Sequence, residues 1–153
     1  MIIDSFPFFN EIELLDLRLN YLNNSVDKFV LVEGTKSHQG KDKKLYFEEN
    51  KSEFKKFENK IIHHIIDDYP PIEDQKKFDP FIYDYHTRNG IGFALEKFKT
   101  SSNDILLISD VDEIPNYNFF SKFRGNITIF KQYMLYFHLN LRCVGFELDY
   151  GDG

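Results

Sequence analysis

Two hydrophobic rhythms run along this chain: short unbroken apolar runs that end on acidic residues, and stretches whose apolar positions recur at helical spacing. Ile105, Leu106, Leu107 and Ile108 form the clearest run and pass straight into Ser109, Asp110, Val111, Asp112 and Glu113. Such a run predicts a central strand buried on both faces, as in a parallel sheet covered by helices. Ile2 and Ile3 predict a short first strand that ends in a polar turn at Asp4-Ser5. Residues 29–32 predict a second buried strand, which ends on Glu33 before a loop holding Gly34 and Gly40. Residues 60–66, rich in β-branched side chains, predict a third.

Between the strands the rhythm changes. Ile12, Leu15, Leu19 and Leu22 step by three, four and three, the spacing of one helix face. Asn10 is the expected N-cap, Glu11 and Glu13 suit the positive end of the helix dipole, and Asn23-Asn24-Ser25 stops the helix. The charged residues 48–57, with Phe47, Phe54 and Phe57 at near-helical spacing, predict a surface helix. Residues 67–80 are acidic and hold Pro70, Pro71 and Pro80, a loop too long to be only a connector. Residues 83–99 predict an amphipathic helix with Ile91, Leu95 and Phe98 on one face, weakened by Gly90 and Gly92. A short helix over residues 117–123 and one or two strands within residues 127–139 complete the pattern. Strands alternating with helices imply an α/β fold: one domain with a mostly parallel sheet, right-handed crossovers and flanking helices.

Composition narrows the function classes. At 153 residues, 42% of them hydrophobic and 17 of them Phe, the chain can bury one sizeable core. A formal charge of −6 argues against non-specific nucleic-acid binding. Cys143 is the single cysteine, so no internal disulfide is expected, and it reads as buried filler. No apolar run is long enough to span a membrane, and the N-terminal MIIDSF lacks the basic and apolar regions of a signal peptide. The expected setting is soluble and cytoplasmic.

The acidic end of the 105–108 run carries the candidate chemistry. Ligands of open α/β sheets sit at the carboxyl ends of strands. Carboxylates gathered there repel one another unless a cation lies among them, and hard oxygen donors suit Mg²⁺ or Mn²⁺. Asp110 and Asp112 could occupy part of such an ion's shell while phosphate oxygens and water fill the rest. The competing reading is that both aspartates only shape the turn and cap the helix after Pro115.

Asp110-Val111-Asp112-Glu113-Ile114-Pro115 resembles the acidic motif of glycosyltransferase family 17. Asp4-Ser5-Phe6-Pro7-Phe8 with Asn10-Glu11, Leu14-Leu15 and Arg18-Leu19 is similar to the start of that family. Val26-Asp27-Lys28-Phe29-Val30-Leu31-Val32-Glu33 resembles its second strand, and Gly40, Lys43 and Leu45-Tyr46-Phe47 the loop that follows. Arg88 sits where the family has an arginine ahead of the helix leading to the acidic motif, whereas Lys44 replaces the usual proline. The resemblance implies a GT-A-type, Rossmann-like donor domain and an N-acetylglucosaminyltransferase of the bisecting type. Its donor would be UDP-N-acetylglucosamine, its acceptor a glycan mannose on a glycoprotein, and its metal Mn²⁺ or Mg²⁺. It carries over Asp110 and Asp112 as metal and diphosphate ligands. Asp4, Ser5, Phe6 and Glu33 become candidate nucleotide contacts, and Arg88 and Lys43 candidate phosphate partners.

Family members continue well past the acidic motif. The expectation is therefore a donor half over residues 1–115, the start of an acceptor half over residues 116–153, and a short or truncated C-terminus. An inverting transferase needs a carboxylate base for the acceptor hydroxyl. Glu147, Asp149 and Asp152 are the only carboxylates after Glu113, and none is assigned that role. Two other readings stay open. One is a non-catalytic module that binds a nucleotide sugar. The other is a haloacid-dehalogenase-type phosphatase, whose nucleophile motif also follows an apolar strand, although usually near the start of a chain. His63 and His64, adjacent in a strand, point to opposite faces and are poorly placed to share one ion. His138 is expected at the core edge, His38 and His86 at the surface.

Overall fold

The computed structural model describes residues 1–74, 77–98, 100–123 and 126–130. Among them run four strands, β1 (Ile2–Phe8), β2 (Lys28–Gly34), β3 (Ile61–Ile66) and β4 (Ile105–Ile108). They alternate with three α-helices, α1 (Ile12–Leu22), α2 (Tyr46–Asn50) and α3 (Pro80–Phe98), and α2 continues as a 3₁₀ helix over Lys51–Phe57. A second 3₁₀ helix spans Tyr117–Lys122. The strands form one sheet in the order β3-β2-β1-β4, parallel at every pairing, so the α/β class stands. The described residues divide into two compact units, one from Met1 to Tyr117 and one beginning at Asn118. The whole sheet, the three α-helices and the acidic turn belong to the first.

Strand alternation sorts the core into two layers. Ile3, Val30, Val32 and Ile66 face Ile91 and Ala94 of α3, with Leu95 and Phe98 packed on the margin. On the opposite face lie Asp4, Phe6, Phe29 and Leu31, all fully buried, with Leu15, Arg18, Leu19 and Leu22 of α1. Each of the three leucines contributes about 1.5–3 kcal/mol on burial. The predicted α1 face is therefore correct, with one charged residue added to it. The helix begins one residue later than expected: Glu11 stands at the cap, its carbonyl accepting Leu15 N–H at 2.9 Å, while its carboxylate accepts the backbone N–H groups of Phe9 and Asn10 and none from the helix.

Two expectations about strands are corrected. Asp4-Ser5 is no turn: β1 runs on through Phe8, and both residues lie fully buried in mid-strand. The strand tolerates them because Asp4 is paired across the layer, as described below. Among the described residues the 105–108 run is neither central nor buried on both faces. Among the described residues β4 pairs with β1 alone, leaving Leu106 40% and Ile108 63% exposed. Among the described strands the central ones are β1 and β2.

α3 is continuous through both glycines, for different reasons. A Cβ on Gly90 would come 2.6 Å from Cδ1 of Ile66 and 2.8 Å from Cγ1 of Val32, so only glycine lets the helix approach the sheet this closely. A Cβ on Gly92 would meet nothing within 4 Å. The long loop before α3 is tied to it: Tyr69 Oη lies 2.6 Å from Thr87 Oγ1, Tyr83 Oη donates to Pro70 O at 2.6 Å, and His86 Nε2 sits 3.0 Å from Asp68. The Asp68 carboxyl is held below its ordinary pKa first by that bond to His86. The surface helix expected over 48–57 is the α2 and 3₁₀ pair, and the helix expected over 117–123 is the second 3₁₀ helix. Residues 126–130 form no strand, and the remainder of the 127–139 expectation, His138 and Cys143 lie outside the described residues. No helix among the described residues is long and apolar enough to cross a membrane.

Candidate active site

The sheet order fixes where a ligand can sit. From β1 the chain moves outward to β2 and β3, then returns to the other side of β1 as β4. The crevice between the carboxyl ends of β1 and β4 is therefore the topological switch point, the place where open parallel sheets bind ligands. The acidic turn opens there, immediately after Ile108.

Local bonds shape this turn. Glu113 N–H donates to Asp110 O at 3.0 Å, while the Glu113 carboxylate accepts Asp110 N–H at 3.1 Å. Ser109 N–H donates to Ser5 O at 3.3 Å, and Ser109 Oγ–H to Glu113 O at 3.1 Å. Beneath it lies Arg18, fully buried on the sheet-facing stripe of α1. Its Nε and Nη2 donate to the two carboxylate oxygens of Asp4 at 2.8 and 2.7 Å. Its Nη2 also reaches Ser109 Oγ at 2.7 Å. Nη1 points at the carbonyls of Asp110 (2.6 Å), Val111 (3.1 Å) and Glu113 (3.3 Å), and the guanidinium stacks 4.5 Å from the Phe6 ring centre. One side chain thus satisfies a buried carboxylate and fastens the turn that carries both candidate metal ligands.

Sequence reading gave Arg18 no role beyond its place in the family pattern. The signal lay in the helix face itself: position 18 is three after Leu15 and four before Leu22, so an arginine there is buried and needs an anion. An aspartate inside the apolar β1 run is the matching half. Asp4, Ser5 and Phe6, expected as nucleotide contacts on a turn, are fully buried in β1 and offer no surface to a ligand. Asp4 acts from beneath, through Arg18. Ser5 Oγ has no hydrogen-bond partner among the described residues.

Above the turn the other residues are accessible. Arg88 of α3 forks onto Asp110, with Nη1 to Oδ1 at 2.5 Å and Nη2 to Oδ2 at 3.1 Å, and its Nε donates to Asp84 at 2.8 Å. The bond to Asp110 raises the pKa of Arg88 first, with a further contribution from Asp84. Asp112 is exposed and has no hydrogen bond or ion pair among the described residues. The structure therefore joins Asp110 and Arg88 at the switch point, with Asp112 exposed two residues further along the same turn.

Glu33 and Lys43 form a second, neighbouring cluster at the ends of β2 and β3. Glu33 is fully buried; it accepts Phe47 N–H at 3.1 Å, faces His63 Nε2 at 3.1 Å and lies 3.6 Å from Lys43 Nζ. His63 Nδ1 lies 3.2 Å from Glu48. Lys43 is 7% exposed and stands over the rings of Phe9 (4.9 Å) and Tyr46 (5.5 Å); burial pushes its pKa down, with the charge of Glu33 opposing. Both residues are occupied inside the protein, and neither is displayed to the crevice. His64 faces α3, on the other side of the sheet from His63 as expected, and burial, then Lys97 and His63, lower its pKa.

The donor set fits a divalent ion bound jointly with a phosphate ligand. Among the described residues no group of three or more His, Cys, Asp or Glu side chains could hold a metal alone. Two carboxylates completed by diphosphate oxygens and water is the arrangement Mg²⁺ favours. Glu147, Asp149 and Asp152 lie outside the described residues.

A family model described as glycosyltransferase family 17 matches residues 1–150. The chain belongs to glycosyltransferase family 17. Similar curated proteins include the beta-1,4-mannosyl-glycoprotein 4-beta-N-acetylglucosaminyltransferases of rat and human. The rat protein is 28% identical over 118 residues, covering 74% of this chain and 21% of its own length. The human protein is 29% identical over 110 residues, covering 69% of this chain and 20% of its own length. The chain thus spans about a fifth of the length of these relatives. No solved structure matches it. Family 17 membership displaces the phosphatase reading of the Asp-x-Asp pattern.

Proposed function

We propose that these residues form the donor-binding part of a metal-dependent, inverting N-acetylglucosaminyltransferase that uses UDP-N-acetylglucosamine and a glycan hydroxyl acceptor, mannose as in the relatives' names. The observation that carries this reading is the pair Asp110 and Asp112, held at the switch point of a parallel sheet in a family 17 chain. Asp112, exposed and unpartnered among the described residues, and Asp110 would hold Mn²⁺ or Mg²⁺. When bound, the ion supplies Lewis-acid stabilisation of charge on the departing diphosphate. Arg18 and Asp4 hold the turn rigid, so the carboxylates need little reorganisation on binding. In the transfer, the acceptor oxygen forms a bond to the anomeric carbon from the face opposite the diphosphate. The bond from that carbon to the diphosphate oxygen breaks, UDP leaves with the bonding pair, and the hydroxyl proton passes to a base.

The test is calorimetric titration of UDP-N-acetylglucosamine, with and without Mn²⁺, into the wild type and Asp112→Ala. Metal-dependent binding that the substitution abolishes supports the reading. Binding without sugar transfer to mannose-containing glycans favours the alternative of a nucleotide-sugar-binding module. Absence of binding under every condition rejects both.

A further inference from the structure

We propose that Arg88 is an exchangeable cation: it occupies Asp110 while no donor is bound, and moves to the donor's diphosphate when a divalent ion takes Asp110. This rests on the donor-site reading above and adds a residue and a sequence of events to it.

Among the described residues two guanidiniums meet the acidic turn, and they differ in what they can do. Arg18 is fully buried, with Nε, Nη1 and Nη2 all engaged by Asp4, Ser109 and three backbone carbonyls. It cannot leave without stranding a buried carboxylate, so it fixes the turn permanently. Arg88 is 42% exposed at its side chain and grips a carboxylate that is itself 41% exposed. Its two terminal nitrogens face the two oxygens of Asp110, the same oxygens an incoming ion would need. A dication and a guanidinium on one carboxylate repel each other, so binding of one weakens the other.

Release does not send Arg88 into solvent. Nε remains tied to Asp84, one helical turn back on α3, at 2.8 Å. The freed fork therefore swings about that anchor and stays at the crevice. There a diphosphate brings anionic oxygens, which a guanidinium fork matches in charge and spacing. Metal and nucleotide should consequently bind together better than either binds alone, because each removes a cost the other meets.

The experiment measures Mn²⁺ binding without nucleotide, by the electron paramagnetic resonance signal of free Mn²⁺, and UDP binding with Mn²⁺ by calorimetry. It uses the full chain as wild type, Arg88→Gln, Arg88→Lys, Asp110→Asn and Arg88→Gln/Asp110→Asn. Arg88→Gln should tighten Mn²⁺ up to about fivefold, the order expected when the exposed ion pair that the dication must displace from Asp110 is removed. The same variant should weaken UDP about tenfold when Mn²⁺ is saturating. Arg88→Lys keeps the charge but loses the fork; it should tighten Mn²⁺ less than Gln does, and it serves should Gln fail to fold. In the Asp110→Asn background Arg88→Gln should no longer tighten Mn²⁺. Unchanged Mn²⁺ affinity in Arg88→Gln, an equal gain in the Asp110→Asn background, or undiminished UDP affinity overturns the exchange while wild-type binding leaves the donor site standing. A wild type that binds neither Mn²⁺ nor Mn²⁺-dependent UDP overturns the donor site, and the exchange with it.

Discussion

At the scale of single residues, burial decides what each charged group does. Arg18 and Asp110 both belong to the acidic corner, yet one is sealed and the other reachable. Arg18→Met should destabilise the protein by about 3–5 kcal/mol, because Asp4 is left buried and unpaired; urea unfolding measures this. Adding Asp4→Leu should restore part of that stability. It should not restore Mn²⁺ affinity, since the carbonyls of Asp110, Val111 and Glu113 still lack their donor. Asp112→Ala marks the opposite case: stability within about 0.5 kcal/mol of wild type, with loss of metal-dependent donor binding. The sequence placed both aspartates at the end of an apolar run, and the family resemblance added Arg88. It set the aspartates apart as metal ligands but could not rank Arg88 against Asp4, Ser5, Phe6, Glu33 and Lys43, because accessibility separates it from them and is set by residues far away in the chain.

At the scale of elements, α3 shows how one residue type takes opposite values within a single helix. Gly90→Ala should cost about 1–3 kcal/mol, since its methyl collides with Ile66 and Val32 and overpacks the helix-sheet contact. Gly92→Ala should stabilise by about 0.5–1 kcal/mol, because the added methyl enters open space and removes the conformational penalty of glycine. Thermal melts of the two variants should therefore shift in opposite directions. Helical periodicity located α3 but treated its glycines alike, for propensity is a property of the chain and collision a property of the sheet. On the neighbouring β3, burial disfavours the charged form of His64 below its ordinary value of 6.5. The unfolded chain then binds that proton more readily than the folded one. The contribution of His64 is complete above about pH 6.5 and lost as pH falls towards the lower folded value. Denaturation midpoints at about pH 7.5 and about pH 5.5 should converge in His64→Val relative to wild type.

At the scale of the whole molecule, alternating apolar runs and helical periods determined the α/β class, the order of the elements and the acidic end of β4. These follow from local chemistry: a short β-branched or aliphatic run has few ways to bury itself, and period fixes helix or strand. The quoted motifs also brought the family into view, and the match over residues 1–150 confirms it. Only the tertiary structure decided the strand order β3-β2-β1-β4, which makes the β1–β4 crevice the switch point and puts β4 beside β1 alone among the described residues. A hydrophobic run states that a strand is buried, not which neighbours bury it. Only the tertiary structure turned Asp4 from a supposed loop ligand into the buried partner of Arg18, and Glu33 into the anchor of Lys43 and His63. A charge inside an apolar segment signals that a partner must exist; which partner it is depends on contacts between residues distant in sequence, and folding alone brings those together.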